Sequence, residues 1–324
     1  MTNPLAPAAV IADRSARVRV RVSGPDAAKF LHNLTTQEVK RFPAGEGREA
    51  FVTSPQGKTM AYVSLLAGQG YIDVRSDKEG FGEVLRHLHK YGVFDDVEIV
   101  DESASTFEWH LAGPSCGHLF QNGGATLPPD GELRHCETTF GHARVRIIRE
   151  TVIGPCGLTL IGRCDDLPAA LDLRQKLAAV HGLVVLSESA FEVARVEAGT
   201  PASGRDVTPD NLPQEVGRDA LTINFVKGCY LGQETVARLD ALGHVNKLLR
   251  GLIIDAQRVP LAGSVLQADG KTVGKVTSAA WSPARGQVVA LGYVRTSHTA
   301  PGSSVVVKSG DEEFPAVVTD LPMA

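Results

Sequence analysis

No two of the five cysteines, Cys116, Cys136, Cys156, Cys164 and Cys229, stand at Cys-x-x-Cys spacing. Zinc ribbons and ferredoxin-type clusters draw ligands from such close pairs, so neither is expected. Reduced thiols in a cytoplasmic protein are the simplest account of an odd, scattered set. An excess of positive charge is also missing: 33 Lys+Arg stand against 37 Asp+Glu, a formal net charge of −4. Direct nucleic-acid binding through a broad charged face is therefore not expected. The first residues, Met-Thr-Asn-Pro-Leu-Ala-Pro-Ala-Ala-Val, have no basic segment ahead of an apolar core, which argues against a secretory signal. No apolar run approaches the roughly 20 residues of a membrane span, so no membrane partner is expected.

What is present fits an ordinary globular chain of two or three domains: 324 residues, 43% hydrophobic and 22% charged. Val18, Val20 and Val22 alternate with arginines, a half-buried strand. Gly24-Pro25 opens a helix with Ala27, Phe30, Leu31 and Leu34 as its apolar stripe. A hairpin is expected over 48–54 and 59–66, turning at Ser54-Pro55-Gln56-Gly57. A strand at 70–74 precedes a helix that buries Phe81, Val84, Leu85 and Leu88. A second round begins near Thr106, with strands at 106–111, 143–149 and 157–161. Helices at 166–180, ended by Gly182, and at 188–198 complete it. After Gly251 the helical period disappears, and short Val-rich strands alternate with glycine turns, which predicts a small antiparallel barrel. The expected division is a body of two α+β modules over 1–246 and a barrel over 247–324. His135-Cys136-Glu137 followed by Pro155-Cys156 lacks the second cysteine of a nucleobase deaminase site, since position 159 is Thr159.

The densest chemistry lies in Lys227-Gly228-Cys229-Tyr230-Leu231-Gly232-Gln233-Glu234, with Arg238 one turn beyond Glu234. A helix is expected from Tyr230 to about Leu239. A neighbouring lysine and a helix N-terminus both favour a thiolate at Cys229, and the two glycines leave room for a ligand or another segment. A small buried cysteine is the plainer alternative.

This motif resembles the signature of the YgfZ-type folate-binding proteins, relatives of the glycine-cleavage T-protein, an aminomethyltransferase. Further blocks resemble the same families in order. They are Gly24–Leu31 with Leu34-Thr35-Thr36, Arg195-Val196-Glu197-Ala198-Gly199, Pro213-Gln214-Glu215-Val216-Gly217, Asp269–Ser278, and Ala290–Val294. The resemblance implies an α+β fold of two ferredoxin-like modules in a T-protein-like ring body, closed by the C-terminal barrel. It implies tetrahydrofolate or another reduced folate as cofactor. Cys229 and Lys227 would carry the chemistry, and Phe191, Arg195, Glu197, Lys227, Gly228, Tyr230, Gln233, Glu234 and Arg238 would line the folate site. It also implies an accessory role in iron–sulfur cluster assembly or repair, and so indirectly in tRNA modification, with iron–sulfur proteins or their assembly factors as partners. Cys229 would act by transient ligation, redox exchange or other thiol chemistry.

Departures from the T-protein point away from its reaction. Aligned through Gly57, Ala61 takes the place of an aspartate that sits against the reacting folate nitrogen, and a methyl group cannot move a proton. Arg144 and Val152 take the places of pterin-holding residues. The alternatives are a folate-dependent one-carbon (aminomethyl or methyl) transferase and a noncatalytic folate sensor that docks a partner.

Overall fold

The computed structural model describes residues 9–323. The first module contains β2 (Val18–Ser23), α1 (Ala27–Leu34), β3 (Gly47–Thr53), β4 (Thr59–Ala67), β5 (Tyr71–Ser76), α2 (Phe81–Tyr91) and β6 (Glu98–Asp101). Its strands form one antiparallel sheet in the order β3-β4-β5-β2-β6. Val18, Val20 and Val22 meet Phe30, Leu31 and Leu34 of α1 and Phe81, Val84 and Leu88 of α2 in a single core. The helical stripes read from the sequence are the faces that the sheet covers.

The second module contains β7 (Thr106–Ala112), α3 (Cys116–Asn122), β8 (His135–Phe140), β9 (Ala143–Arg149), β10 (Gly157–Arg163), α4 (Leu167–His181) and β11 (Val184–Val185). Gly182 ends α4 in the left-handed conformation, as expected of a glycine stop. The sheet order is β11-β1-β7-β10-β9-β8, where β1 (Val10–Asp13) comes from the start of the chain. Val10 pairs with Ala112 on one side and with Val184 on the other. The sequence reading had assigned no strand there.

α5 (Glu188–Glu197) then leaves the second module, and a long segment carries α6 (Asp219–Thr222) and α7 (Gln233–Leu242). β12 (Lys247–Ile254), β13 (Val265–Ala268), β14 (Lys271–Ser282), β15 (Gln287–Arg295), β16 (Ser304–Ser309) and β17 (Glu312–Thr319) close a barrel in the order β12-β15-β14-β13-β16-β17. The fold is thus mixed α+β sheets followed by a closed antiparallel barrel. A register shift in β14 between Val276 and Ser278 aims Thr277 and Ser278 at one carboxylate, Asp206. Asp206 also accepts from Arg195 of α5 at 2.8 Å, which ties body to barrel.

The two sheets of the body face one another across charge, not hydrocarbon. The alternation in β2 predicts a half-buried strand with its valines on one face. Instead Arg19 is 3% exposed and Arg75 of β5 is 0% exposed. Arg75 donates to Glu108 at 2.7 and 3.2 Å and to Glu150 at 3.2 and 3.5 Å. Arg19 Nη2 reaches Glu108 at 3.2 Å, and Arg17 Nη1 reaches the same carboxylate at 3.4 Å. Arg146 of β9 returns the contact, donating to Asp73 of β5 at 2.7 Å. Leu66, Leu133, Ile148 and Ile161 form a small apolar patch of their own. Burial by itself would raise the Glu108 carboxyl, yet Arg75, Arg17 and Arg19 hold it far below its ordinary 4.5.

Removing Arg75 would take the strongest counter-charge from two buried carboxylates. Arg75→Met is expected to cost about 3–5 kcal/mol of unfolding free energy, measured by urea titration at pH 7. The carboxylate pKa of Glu108 is depressed on folding, so its contribution is complete above the unfolded value and declines as pH falls below it. The wild-type urea midpoint is therefore expected to drop from pH 5 to pH 3, and the slope of that drop to shrink in Arg75→Met.

Candidate functional site

Where the two sheets meet α5, they enclose a cavity of about 40 Å³, lined among others by Arg14, Tyr62, His110, Phe191 and Arg195. Phe191, on the buried face of α5, carries the Arg14 guanidinium 4.1 Å above its ring. Arg195 lies one turn further along. Its fork is spent on Glu192, Asp206, the Ser278 hydroxyl and the Thr200 carbonyl. Burial acts against its charge, but Asp206 and Glu192 raise it above the ordinary arginine range. It is a fixed cation in the wall. Glu197, two residues on, points elsewhere as the helical spacing requires, and binds Ser282 at 2.7 Å and Arg285 at 3.2 Å on the barrel side.

Alternation along β4 decides which side chains reach this cavity. Ala61 packs in the helix-side core with Val63 and Leu65, while Tyr62 and Ser64 line the cavity. Neighbours on a strand face opposite ways. The inference drawn from Ala61 therefore does not hold for this cavity: its side chain is not in the wall, and carboxylates are, from Glu49, Glu108, Glu132 and Glu150. Burial, with Glu49 alongside, pushes the Tyr62 phenol well above its ordinary 10. Val152 does line the cavity, whereas Arg144 lies in a separate surface cleft.

His110 is the polar wall residue that sequence reading missed. It is 1% exposed on β7. Its Nδ1 lies 2.9 Å from the Thr159 hydroxyl, which itself donates to Glu150 at 2.8 Å. Burial pulls the imidazole down to about 4. The only sequence signal is its position on the same strand face as Glu108, two residues away.

The cysteine motif is a separate place. Cys229 is exposed and does not line the cavity. The expected helix from Tyr230 starts later, at Gln233, with Gly232 as its N-cap at φ 84°. A Cβ on Gly232 would stand 2.4 Å from the Ser54 carbonyl oxygen, so glycine lets the β3–β4 turn pack against the helix start. Cys229 thus sits in a loop ahead of α7, not in its first turn. Lys227 does not face the thiol. It is 6% exposed, and its ammonium donates to the carbonyls of His32 (2.6 Å), Thr35 (2.6 Å) and Gln37 (2.9 Å), where the chain leaves α1. Three acceptors match the three donors of an ammonium, while burial pulls the group down to about 7. Tyr230 is buried beneath it, with the ammonium 4.6 Å from the ring. The Gln233 side chain accepts from the Tyr230 amide at 3.3 Å. Leu231 completes the stitching, its amide donating to the Asn33 carbonyl at 2.8 Å. Gly228, Glu234 and Arg238 are exposed. Of the residues selected from the sequence, the structure brings Phe191 and Arg195 together at the cavity and groups Lys227 to Gln233 in a separate loop that exposes Cys229. Among the described residues, no group of three or more His, Cys, Asp or Glu side chains could hold a metal ion.

Residues 5–225 match the family model for the GCVT N-terminal domain, and residues 247–324 match that for the glycine cleavage T-protein C-terminal barrel domain. The chain belongs to the glycine cleavage T-protein family. Among its relatives, the Arabidopsis thaliana protein named "Putative transferase At1g60990, chloroplastic" is 29% identical over 97% of this chain and 71% of its own length. An aminomethyltransferase of Streptomyces avermitilis is 26% identical over 91% of this chain and 80% of its own. The crystal structure of glycine cleavage system aminomethyltransferase T from Bartonella henselae superposes with a TM-score of 0.85. It is 20% identical and covers 98% of this chain and 86% of that one, which shows the shared fold.

Lys227→Met should leave three carbonyls without a donor and cost roughly 1–3 kcal/mol in urea unfolding. Because Lys227 holds the loop, limited proteolysis is also expected to cut the variant faster within residues 224–231.

Proposed function

We propose that this T-protein family member binds tetrahydrofolate or another reduced folate at the junction cavity. We further propose that it acts as a cytoplasmic accessory protein in iron–sulfur cluster assembly or repair, within the YgfZ-type branch. The observation that carries the ligand reading is Phe191 with Arg14 on its face. A buried aromatic ring is covered by a planar cation that a flat heterocycle can replace, keeping the stacking contact. Displacement is required. About 40 Å³ holds a few waters, whereas pockets for ligands of this size run to about 300 Å³ or more. Arg14 borders both this cavity and a more open cleft of about 380 Å³, so its withdrawal would join the two.

The iron–sulfur part rests on the resemblance of the Lys-Gly-Cys-Tyr-x-Gly-Gln-Glu loop and on the exposure of Cys229. One thiol supplies at most one of the four protein ligands that such clusters take, so iron–sulfur client proteins or their assembly factors would provide the rest. The second reading, a folate-dependent one-carbon transferase, is favoured by the names of the relatives and by the carboxylates in the cavity wall.

Calorimetry under anaerobic conditions is expected to show tetrahydrofolate binding that weakens in Phe191→Leu by about 0.5–1.5 kcal/mol. No binding by the wild type would end the folate reading. Cys229→Ser, at an exposed site, should leave folding and folate affinity intact while lowering the activity of iron–sulfur enzymes in cells that depend on this chain. Unchanged enzyme activity would remove the accessory role. Multiple-turnover aminomethyl transfer to tetrahydrofolate would instead establish the transferase.

A further inference from the structure

The His110–Thr159–Glu150 chain fixes a proton in one place. Glu150 is buried, and although burial opposes its charge, Arg75 and Arg17 keep its carboxyl below the ordinary range, so it can only accept. The single hydroxyl proton of Thr159 therefore goes to Glu150 at 2.8 Å. The Thr159 oxygen has only lone pairs left for His110, 2.9 Å away. His110 must donate from Nδ1, which leaves Nε2 as a bare acceptor. That atom is fully buried, has no hydrogen-bond partner, and belongs to a wall residue of the cavity. The ring is held in place from behind: a Cβ on Gly157 would lie 2.9 Å from Cε1. A buried acceptor left unmade is costly, and this one belongs to a residue that lines the same cavity as Phe191.

We propose that His110 Nε2 accepts a hydrogen bond from a ring N–H of the ligand, making His110 a specificity-determining residue for an N–H-bearing heterocycle. This rests on the reduced-folate reading above. A reduced pterin carries ring N–H groups, so it supplies the donor. Thr159 is the positioning residue that sets the tautomer. A ligand offering only lone pairs along the same edge meets a lone pair and is rejected.

Two measurements on the full chain test this. Long-range ¹H–¹⁵N spectra of the wild type, before and after adding tetrahydrofolate, should show His110 protonated at Nδ1 only. They should also show the Nε2 resonance shifting on binding as a lone pair does when it accepts a hydrogen bond. Tetrahydrofolate titrations should then show affinity reduced about tenfold in His110→Phe and in Thr159→Val, and kept in Thr159→Ser. Thermal melts identify any variant that loses affinity by unfolding, and the wild-type spectra stand whether or not the variants fold. A wild type that binds no tetrahydrofolate defeats the folate reading and this assignment with it. If the wild type binds, but Nε2 carries the proton, or its resonance does not move, or folded His110→Phe binds equally well, the folate reading survives and this inference alone is overturned.

Discussion

One guanidinium, that of Arg75, joins the two halves of the body. It bridges Glu108 on one strand of the facing sheet and Glu150 just beyond another. Nearly everything at the junction refers back to this contact. Glu108 also takes Arg17 and Arg19, and Glu150 takes the Thr159 hydroxyl that orients His110. Buried ion pairs seldom add much stability over hydrocarbon of the same shape. Their effect here is geometric, because directional bonds fix how the sheets lie. A greasy interlayer would allow them to slide, and the cavity wall would lose its definition.

Patterns with local causes were legible in the sequence. The β2 alternation, the stripes of α1 and α2, the Ser54–Gly57 turn, the Gly182 stop and the change to barrel strands all depend on near neighbours. What was illegible depends on distant ones. Nothing local marks Arg19 or Arg75 for burial, since an arginine alternating with valine on a strand looks like a solvated face until its partner sheet is known. Val10–Asp13 is four residues long, and its pairing partners lie in a different part of the chain. Ala61 shows how a correct turn can still give a wrong inference: one step along β4 exchanges the core face for the cavity face.

The cysteine motif was legible as composition, but not in the surroundings of its lysine and its second glycine. The lysine expected beside the thiol instead clamps the end of α1, and the glycine expected to open space for a ligand serves the packing of a hairpin against α7. The result is an exposed Cys229 on a loop held by the buried side chains of Lys227 and Tyr230. A thiol presented this way meets large partners more readily than one at the bottom of a channel, and the two candidate sites, cavity and loop, can be altered independently.

The placement of β1 has a consequence for synthesis on the ribosome. Val10 is among the first described residues, yet it pairs with Ala112 and Val184. At roughly 5–20 residues per second, β1 waits several seconds for β7 and longer for β11. Meanwhile β2 to β6 have every sheet partner they need by Asp101. The nascent chain therefore offers a complete first sheet while β1 is still unpaired. Only when β1 is captured does the second sheet close, which makes Val10–Asp13 one of the last parts of the body to find its place.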